Sequence, residues 1–501
     1  MKQGGIVAKA MRLWVERVWS SQPFLRKSVL YPTLIFIVSG LWHLFLLSHA
    51  APNVFPDSGS YNLLAEALRD GRWHSGFTFR TPGYPAFLWG IFSLAGWLNW
   101  HAVLIVQGFL GSTIPVLLYA LFLQLTEKRW VAAIAGLGFL LDRFSIGLET
   151  VPLTEFLSGY TVLLASVAFI YGLQSKRLWT AILAGLIAGI NFLVRPSFQY
   201  LYFVWGLCAL GLCWQWALMN WDRKHLIAWL GIFFLVIHLV IAAWSYAVWQ
   251  HTSVFAPSLQ LGASMTNHTG TMMEYAPDKF AKIRDIYVEE RNRRGGDHIN
   301  LFDQSGWKIC EATSMTLWQL SLKFGEINRY LIFHYPGKYF DQVARAWIRI
   351  WTEDSMYITD LTDPIGSGLG KVELTPLFQF LVNSTLTLTI YQRMDEFVWF
   401  NKSFLMIVPF LLVGGTLYLL LTRPGKFFHW LTAVVVLTTI LYHMAVHALV
   451  QYTEFGRYKL PVQGIWFSYL LFLCIIISVD ILGRVKASFD PVAKTTERRR
   501  K

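Results

Sequence analysis

Charge is what this chain of 501 residues has least of. Asp, Glu, Lys and Arg make up 15% of it, whereas a soluble chain is about a quarter charged. Hydrophobic residues make up 55%, with 23 Trp and 37 Phe, so most of the surface must face lipid rather than water. The formal net charge of +13 invites a nucleic-acid reading, and the composition excludes it. Cysteine is scarce as well. Of the four, Cys208, Cys213 and Cys474 fall in apolar runs and Cys310 alone in a polar region, so no disulfide can staple an extramembrane part. Their spacing matches no zinc or redox pattern. A cleavable signal is also missing: residues 1–27 are basic and amphipathic, and no small-residue cleavage site follows the apolar run 28–49, which is therefore expected to be a retained span. No internal repeat of the kind that builds two-halved transporters is visible.

What is present is a series of apolar runs. They predict an all-α polytopic membrane protein with about ten spans, at 29–48, 102–125, 130–148, 154–173, 178–194, 198–219, 226–249, 403–421, 427–449 and 461–482. An eleventh run, 85–98, would rise only about 21 Å at 1.5 Å per residue, short of a hydrocarbon core of roughly 30 Å. If it does not cross, the basic connectors at 127–129, 174–177, 221–225 and 423–426 share a side with the basic N-terminus and the tail Arg498 to Lys501. That side then carries 21 Lys/Arg and five acids, a net +16, and is cytoplasmic by the positive-inside rule. The rest of the chain sums to −3. Residues 85–98 become a helix in the outer interface, with Trp89, Trp97 and Trp100 at headgroup depth.

Three regions follow: residues 1–250, a transmembrane module whose first outer loop is 51–100; residues 251–401, an outer segment; and residues 402–501, further spans with a basic cytoplasmic tail. The outer segment holds 14 Lys/Arg and 17 Asp/Glu. Within it Tyr339, Val343, Ala346, Trp347, Ile350 and Trp351 lie on one helical face, away from Lys338, Asp341, Arg345 and Arg349, which predicts an interfacial helix. Residues 265–300, with their basic stretch 291–296, read as a mobile loop. Matches to the glycosylation acceptor pattern at Asn267, Asn383 and Asn401 are expected by chance at this length.

Ionisable groups at mid-span are costly and usually functional, and the spans are nearly free of them; His238, His443 and His447 are the main exceptions. His238 reads as a hydrogen-bonded histidine between helices. Acids and cations gather at the outer ends instead: Asp57, Arg80, Asp142, Glu149, Glu155, Arg195, Glu454, Arg457 and Lys459. In the first loop Asp57 or Ser58 caps a helix with Tyr61, Leu64, Ala65 and Leu68 on one face. Capping alone would account for Asp57. Its position just beyond the first span, in a loop that a Pro-rich turn returns to the membrane, favours an outer-face chemical role.

The chain here resembles the polytopic GT-C glycosyltransferases, relatives of the protein O-mannosyltransferases and of the lipid A aminoarabinose transferase. The likeness is carried by Asp57, Tyr61, Ala65, Gly71 and Arg80-Thr81-Pro82-Gly83-Tyr84-Pro85 in the first loop. Pro152-Leu153-Thr154-Glu155, Leu193-Val194-Arg195-Pro196 and Gly456-Arg457-Tyr458-Lys459-Leu460-Pro461 follow in order. Each piece is weak alone; the ordered set spans about 400 residues.

The resemblance implies a GT-C fold with outer juxtamembrane helices, in the cytoplasmic membrane of a bacterium. It implies a polyprenyl-phosphate-linked sugar as donor, a glycan, lipid or protein as acceptor, and an inverting displacement with Asp57 as general base and Glu155 as the second acid. Arg80, Tyr84, Arg195, Arg457, Tyr458 and Lys459 are the candidate substrate-binding residues, the departing phosphate falling to Arg457 and Lys459 first and Arg195 second. Snorkelling anchors would explain an isolated cation, but not a cluster that also holds Tyr458 and Glu454. Glu149 could hold acceptor or an ion, and reads more simply as a solvated loop charge. His443 and His447, at i and i+4, have metal-ligand spacing but no third ligand, which favours lining a donor or acceptor pocket. A divalent cation stays open as cofactor, although the first loop has no Asp-x-Asp. The competing readings are an oligosaccharide ligase or polymerase using a diphosphate-linked donor and, from a different class, a lipid or oligosaccharide transporter.

Overall fold

The structure is a computed structural model that describes residues 23–47, 50–215, 223–296, 298–299, 301–302, 304–353, 398, 401–423, 427–451 and 454–489. The basic N-terminal segment before Pro23, the tail from Arg498 to Lys501, Asn383 and parts of the connectors at 221–225 and 423–426 lie outside these residues. Every described element is helical. In chain order they are α1 (Pro23–Leu47), α2 (Pro56–Arg69), α3 (Gly83–Ala95), α4 (Trp100–Leu125), α5 (Arg129–Leu137), α6 (Arg143–Gly147), α7 (Thr154–Ser175), α8 (Leu178–Val194), α9 (Leu201–Gln215) and α10 (Arg223–Thr252). The outer segment contributes α11 (Leu261–Thr269), α12 (Ala281–Arg294), α13 (Gln304–Thr313), α14 (Leu317–His334) and α15 (Pro336–Thr352). The chain returns through α16 (Lys402–Thr422), α17 (Phe427–Val450), α18 (Phe455–Tyr458) and α19 (Leu460–Phe489).

Helix is the form lipid imposes, because no water is present to satisfy an open backbone. Among the described residues seven helices are long and apolar enough to cross a membrane: α4, α7, α9 with the turn before it, α10, α16, α17 and α19. The chain is thus a multi-pass membrane protein. The expectation of about ten spans is corrected at one run. The helix α8, of 17 residues, falls just below that length, α1 runs to 25 residues with Val29–Phe45 as its described apolar part, and run 130–148 is not one rod. That run bends by 63° between Arg129–Leu141 and Phe144–Thr150, and counts as an eighth span only if the pair is taken as one. The bend lies where Gly136 and Gly138 weaken the helix and the Asp142 carboxylate accepts from the Phe144 N–H at 3.2 Å. Asp142 is not at an open outer end: it is buried, and also accepts from Ser145 Oγ and from Gln463 Nε2 of α19.

Helices in lipid associate by close packing, since lipid tails are as apolar as leucine. Ala181, Ala184, Gly185, Ala188 and Gly189 give α8 a face of small residues, and α8 packs on both α7 and α10. Trp205, Trp229 and Trp466 are fully buried, while Leu94, Phe410 and Leu421 stand exposed on the outside of the bundle. His238 is also exposed. Its Nδ1 pairs with the Phe234 carbonyl of its own helix at 2.7 Å, and its ring meets Phe203 of α9 edge-on at 5.4 Å, so it is hydrogen-bonded and lies between two helices. All four cysteines are free.

The eleventh run forms α3, 13 residues long. It packs beside α2, with Arg69 at the far end of α2 lying 4.2 Å over the Trp97 ring just past α3. Trp97 and Trp100 both pack on Phe92, and Trp89 faces outward.

Residues 265–296 are folded, against the expectation of a mobile loop over 265–300. Met272, Met273, Phe280, Ile283 and Tyr287 enter a second core with Phe324 of α14. The Arg291 guanidinium pairs with Glu274 and donates to the Gly270 carbonyl, so the basic stretch is tied down. In α15 Tyr339, Ala346, Ile350 and Trp351 are buried as the periodicity requires, and this face packs on α16 and α17.

Candidate active site

The first loop enters the site through α2. Pro56 opens that helix, and Ser58 Oγ accepts from the Phe55 N–H at 3.1 Å. Local capping is thus handled by Ser58, and the reading of Asp57 as a mere cap is overturned. Tyr61, Leu64 and Ala65 face inward, and Leu68 packs with Leu64, Phe77, Trp73 and Trp244 in a small apolar patch. The Trp73 ring stacks on His251 at 4.2 Å, which fastens the loop to the end of α10. These contacts leave the Asp57 carboxylate facing two distant segments, those of Arg80 and Arg457.

Arg80 Nη2 donates to Asp57 Oδ1 at 2.8 Å, with its guanidinium 4.2 Å over the Tyr61 ring. Arg457 Nη1 reaches Asp57 Oδ2 at 2.8 Å, and Arg457 Nε donates to Glu155 Oε1 at 2.7 Å. Arg195 Nη1 lies 3.1 Å from the same Glu155 oxygen and 3.3 Å from Thr154 Oγ1. Arg80, Asp57, Arg457, Glu155 and Arg195 therefore form one continuous chain of ion pairs. Glu454 Oε2 adds a longer contact to Arg457 Nη1 at 3.3 Å. The four matching sequence pieces thus meet at one end of the bundle.

One glycine makes part of this meeting feasible. A Cβ on Gly83 would come within 2.5–2.6 Å of the Leu193 and Val194 backbone, so the start of α3 can touch the end of α8 only without a side chain. That contact holds the Arg80 turn against the Arg195 turn.

The network is graded from inside to outside. The Glu155 side chain is 1% exposed and Arg195 9%, whereas Asp57 is 37% exposed. Partial burial pushes the Asp57 carboxyl up, but Arg457 and Arg80 outweigh it and hold it below its ordinary value. Burial works against the Arg457 charge, and the surrounding Glu155 and Asp57 carboxylates overcome it and raise its pKa well above the ordinary value. Beside Glu155 lies a small cavity of about 30 Å³, walled by Ile114, Phe156, Tyr160, Leu460, Pro461 and Ile465.

The remaining candidates stand further back. Burial pushes the Tyr458 hydroxyl up to about 12. Arg195 lies 5.4 Å over the Tyr458 ring, and His447 stacks behind it at 4.7 Å. His443 Nε2 pairs with the Tyr458 carbonyl at 2.7 Å, so both histidines are buried supports of this turn rather than walls of an open pocket. The Lys459 ammonium donates to the Glu353 carbonyl at the end of α15, outside the ion-pair chain. The Tyr84 hydroxyl is buried and donates to Gln107 Oε1 at 3.2 Å.

Glu149 is fully buried, which overturns its reading as a solvated loop charge. It fills the space that a Cβ on Gly111 would need, and its Oε1 lies 3.0 Å from Nε2 of His43, which sequence reasoning missed. Gln107 Nε2 donates to the Glu149 and Val151 carbonyls at 2.8 and 3.2 Å, and the Asn53 N–H to the Thr150 carbonyl at 2.9 Å. The turn before Glu155 is thus held from α1, α4 and the first loop together. Polar His43, Gln107 and small Gly111 inside apolar runs were the available signal.

A divalent ion does not fit the residues here. Both Asp57 oxygens are engaged by guanidinium groups, and among the described residues no group of three or more His, Cys, Asp or Glu is placed to hold a metal.

No family model and no curated protein matches the chain. Among solved structures it is similar to the oligosaccharyltransferase of Archaeoglobus fulgidus. The form in complex with an inhibitory peptide and a dolichol-phosphate is 14% identical with a TM-score of 0.44, over 92% of this chain and 52% of that one. The form tethered to an acceptor peptide is 12% identical with a TM-score of 0.45, over 92% and 51%. The apo form is 10% identical with a TM-score of 0.46, over 93% and 53%. The chain spans about half the length of these proteins.

Proposed function

We propose that the chain is a membrane glycosyltransferase of the GT-C type, moving a sugar from a polyprenyl-phosphate donor to an acceptor hydroxyl at the outer face of a bacterial cytoplasmic membrane. One observation carries this reading: a partly exposed carboxylate, Asp57, sits against Arg80 and Arg457, with Arg195 joined through Glu155. A base beside cations is what displacement of a phosphate requires. The acceptor oxygen forms a bond to the anomeric carbon, and the bond from that carbon to the phosphate oxygen breaks. The acceptor proton passes to Asp57, and the electron pair leaves on the polyprenyl phosphate.

Arg457 and Arg195 neutralise the departing phosphate, the role for which a planar guanidinium is suited. Glu155 holds these two arginines in place rather than meeting the acceptor, since it is buried and engaged by both. Lys459 steadies α15 against this turn. Outside the membrane no nucleotide sugar is at hand, so a lipid-borne donor is the consistent choice.

The test is transfer by purified protein from a panel of polyprenyl-phosphate sugars, with Asp57→Asn as comparison. The variant is expected to lose roughly 10²- to 10⁴-fold in kcat while still binding donor. Undiminished transfer by Asp57→Asn would remove Asp57 from the mechanism, and transport without transfer would remove the enzyme reading.

A further inference from the structure

In the structure the arginines of the site are already balanced by its own acids. Arg80, Arg195 and Arg457 meet Asp57, Glu155 and Glu454, three charges of each sign. An arriving phosphate brings excess negative charge, so one carboxylate must give way. Glu155 is 1% exposed and gripped by two arginines, and Asp57 is held on both oxygens. Glu454 is 50% exposed, and among the described residues its one ion pair, at 3.3 Å, is the longest in the cluster. It is the carboxylate that can leave at least cost.

The backbone adds a separate reason to notice this residue. Glu454 has φ 55° and ψ 33°, the left-handed conformation in which a Cβ is strained and glycine is not. The conformation starts the tight turn that carries the site, since the Glu454 carbonyl accepts from the Arg457 and Tyr458 N–H groups at 3.0 and 3.1 Å. Glycine would serve that backbone better. A glutamate there is explained by its side chain. The other charged groups around the turn are engaged with one another: Glu353 accepts from the Gly456 N–H and pairs with Arg349, and its carbonyl takes the Lys459 ammonium.

We infer that Glu454 is a placeholder anion: its carboxylate occupies Arg457 until the phosphate of the donor takes its place, and then swings into solvent. The inference rests on the reading of Arg457 as the phosphate contact. Its consequence has an unusual sign, because neutralising an acid within the site should strengthen ligand binding. Glu454 also sets a threshold: a neutral headgroup cannot displace it from Arg457, whereas a phosphate can.

The experiment measures farnesyl phosphate binding to the full-length protein in detergent by calorimetry, with farnesol as the uncharged control. Glu454→Gln, which keeps side-chain size and backbone, is expected to bind farnesyl phosphate roughly two- to five-fold more tightly than wild type, the range open to a half-exposed ion pair. Farnesol binding should be the same in both. Arg457→Gln should bind farnesyl phosphate more weakly than wild type. If Arg457→Gln weakens binding but Glu454→Gln does not tighten it, the placeholder is refuted and the phosphate reading stands. An equal gain for farnesol in Glu454→Gln also refutes the placeholder. If Arg457→Gln binds as wild type does, Arg457 is no phosphate contact and both fall.

Discussion

At the scale of single residues the site turns on how two arginines share Asp57. A base held below its ordinary pKa stays ionised at low pH, so in the free protein the rate should not fall on acidification until the pH is below the usual carboxylate range. Arg80 meets Oδ1 alone, so Arg80→Gln removes one of the two opposing charges without touching Arg457. The Asp57 carboxyl should then rise, bringing an acid limb toward the accessible range. The check is kcat/KM against pH from 4 to 8 for both proteins. Superimposable profiles would show that Arg80 does not tune the base, whatever its effect on the absolute rate.

At the scale of elements the site is held by a few close approaches. Gly83→Ala places a methyl group against the Leu193 and Val194 backbone, which cannot move aside as a side chain could. The start of α3 must then shift away from α8 and separate Arg80 from Arg195. Overpacking of this kind costs about 1–3 kcal/mol. Thermal unfolding in detergent should register the loss, and transfer should fall further than stability does; an unchanged midpoint and rate would mean the two helices are not clamped here. Such contacts also mark where legibility in the sequence ends. Asp57, Arg80, Glu155, Arg195 and Arg457 could be nominated because each sits at the mouth of an apolar run, and they do meet. The His43–Glu149 pair could not, since its partners are 106 residues apart and no local pattern links them. The same applies to residues 265–294. Their polarity suggested a loose segment, and order comes from Met272, Phe280, Ile283 and Tyr287 meeting α14, a contact without local periodicity. The break near Asp142 was hidden because hydropathy sees composition and not the hydrogen bonds that Asp142 makes.

At the scale of the whole molecule, charge and direction of the helices point the same way. The helices α7 and α8 run out from Glu155 and back to Arg195, so their connector at Lys176 lies at the end of the bundle away from the site. Arg423 marks that far end as well, pairing with Asp480 at 3.0 Å and donating to the Leu125 carbonyl at 3.0 Å. The far connectors carry the basic excess, whereas the charges of the site cancel one another. On the proposed topology, in which the positive-inside rule makes those connectors cytoplasmic, the site faces outward. The side-by-side packing of α2 and α3 fits a first loop that stays on that face. A reporter fused after Leu98 should therefore report the outer compartment, and one fused after Lys176 the cytoplasm. The opposite pair of signals would turn Asp57 toward the cytoplasm, where nucleotide sugars are plentiful and a phosphate-linked lipid donor loses its rationale. The orientation of one short helix thus decides between two classes of donor.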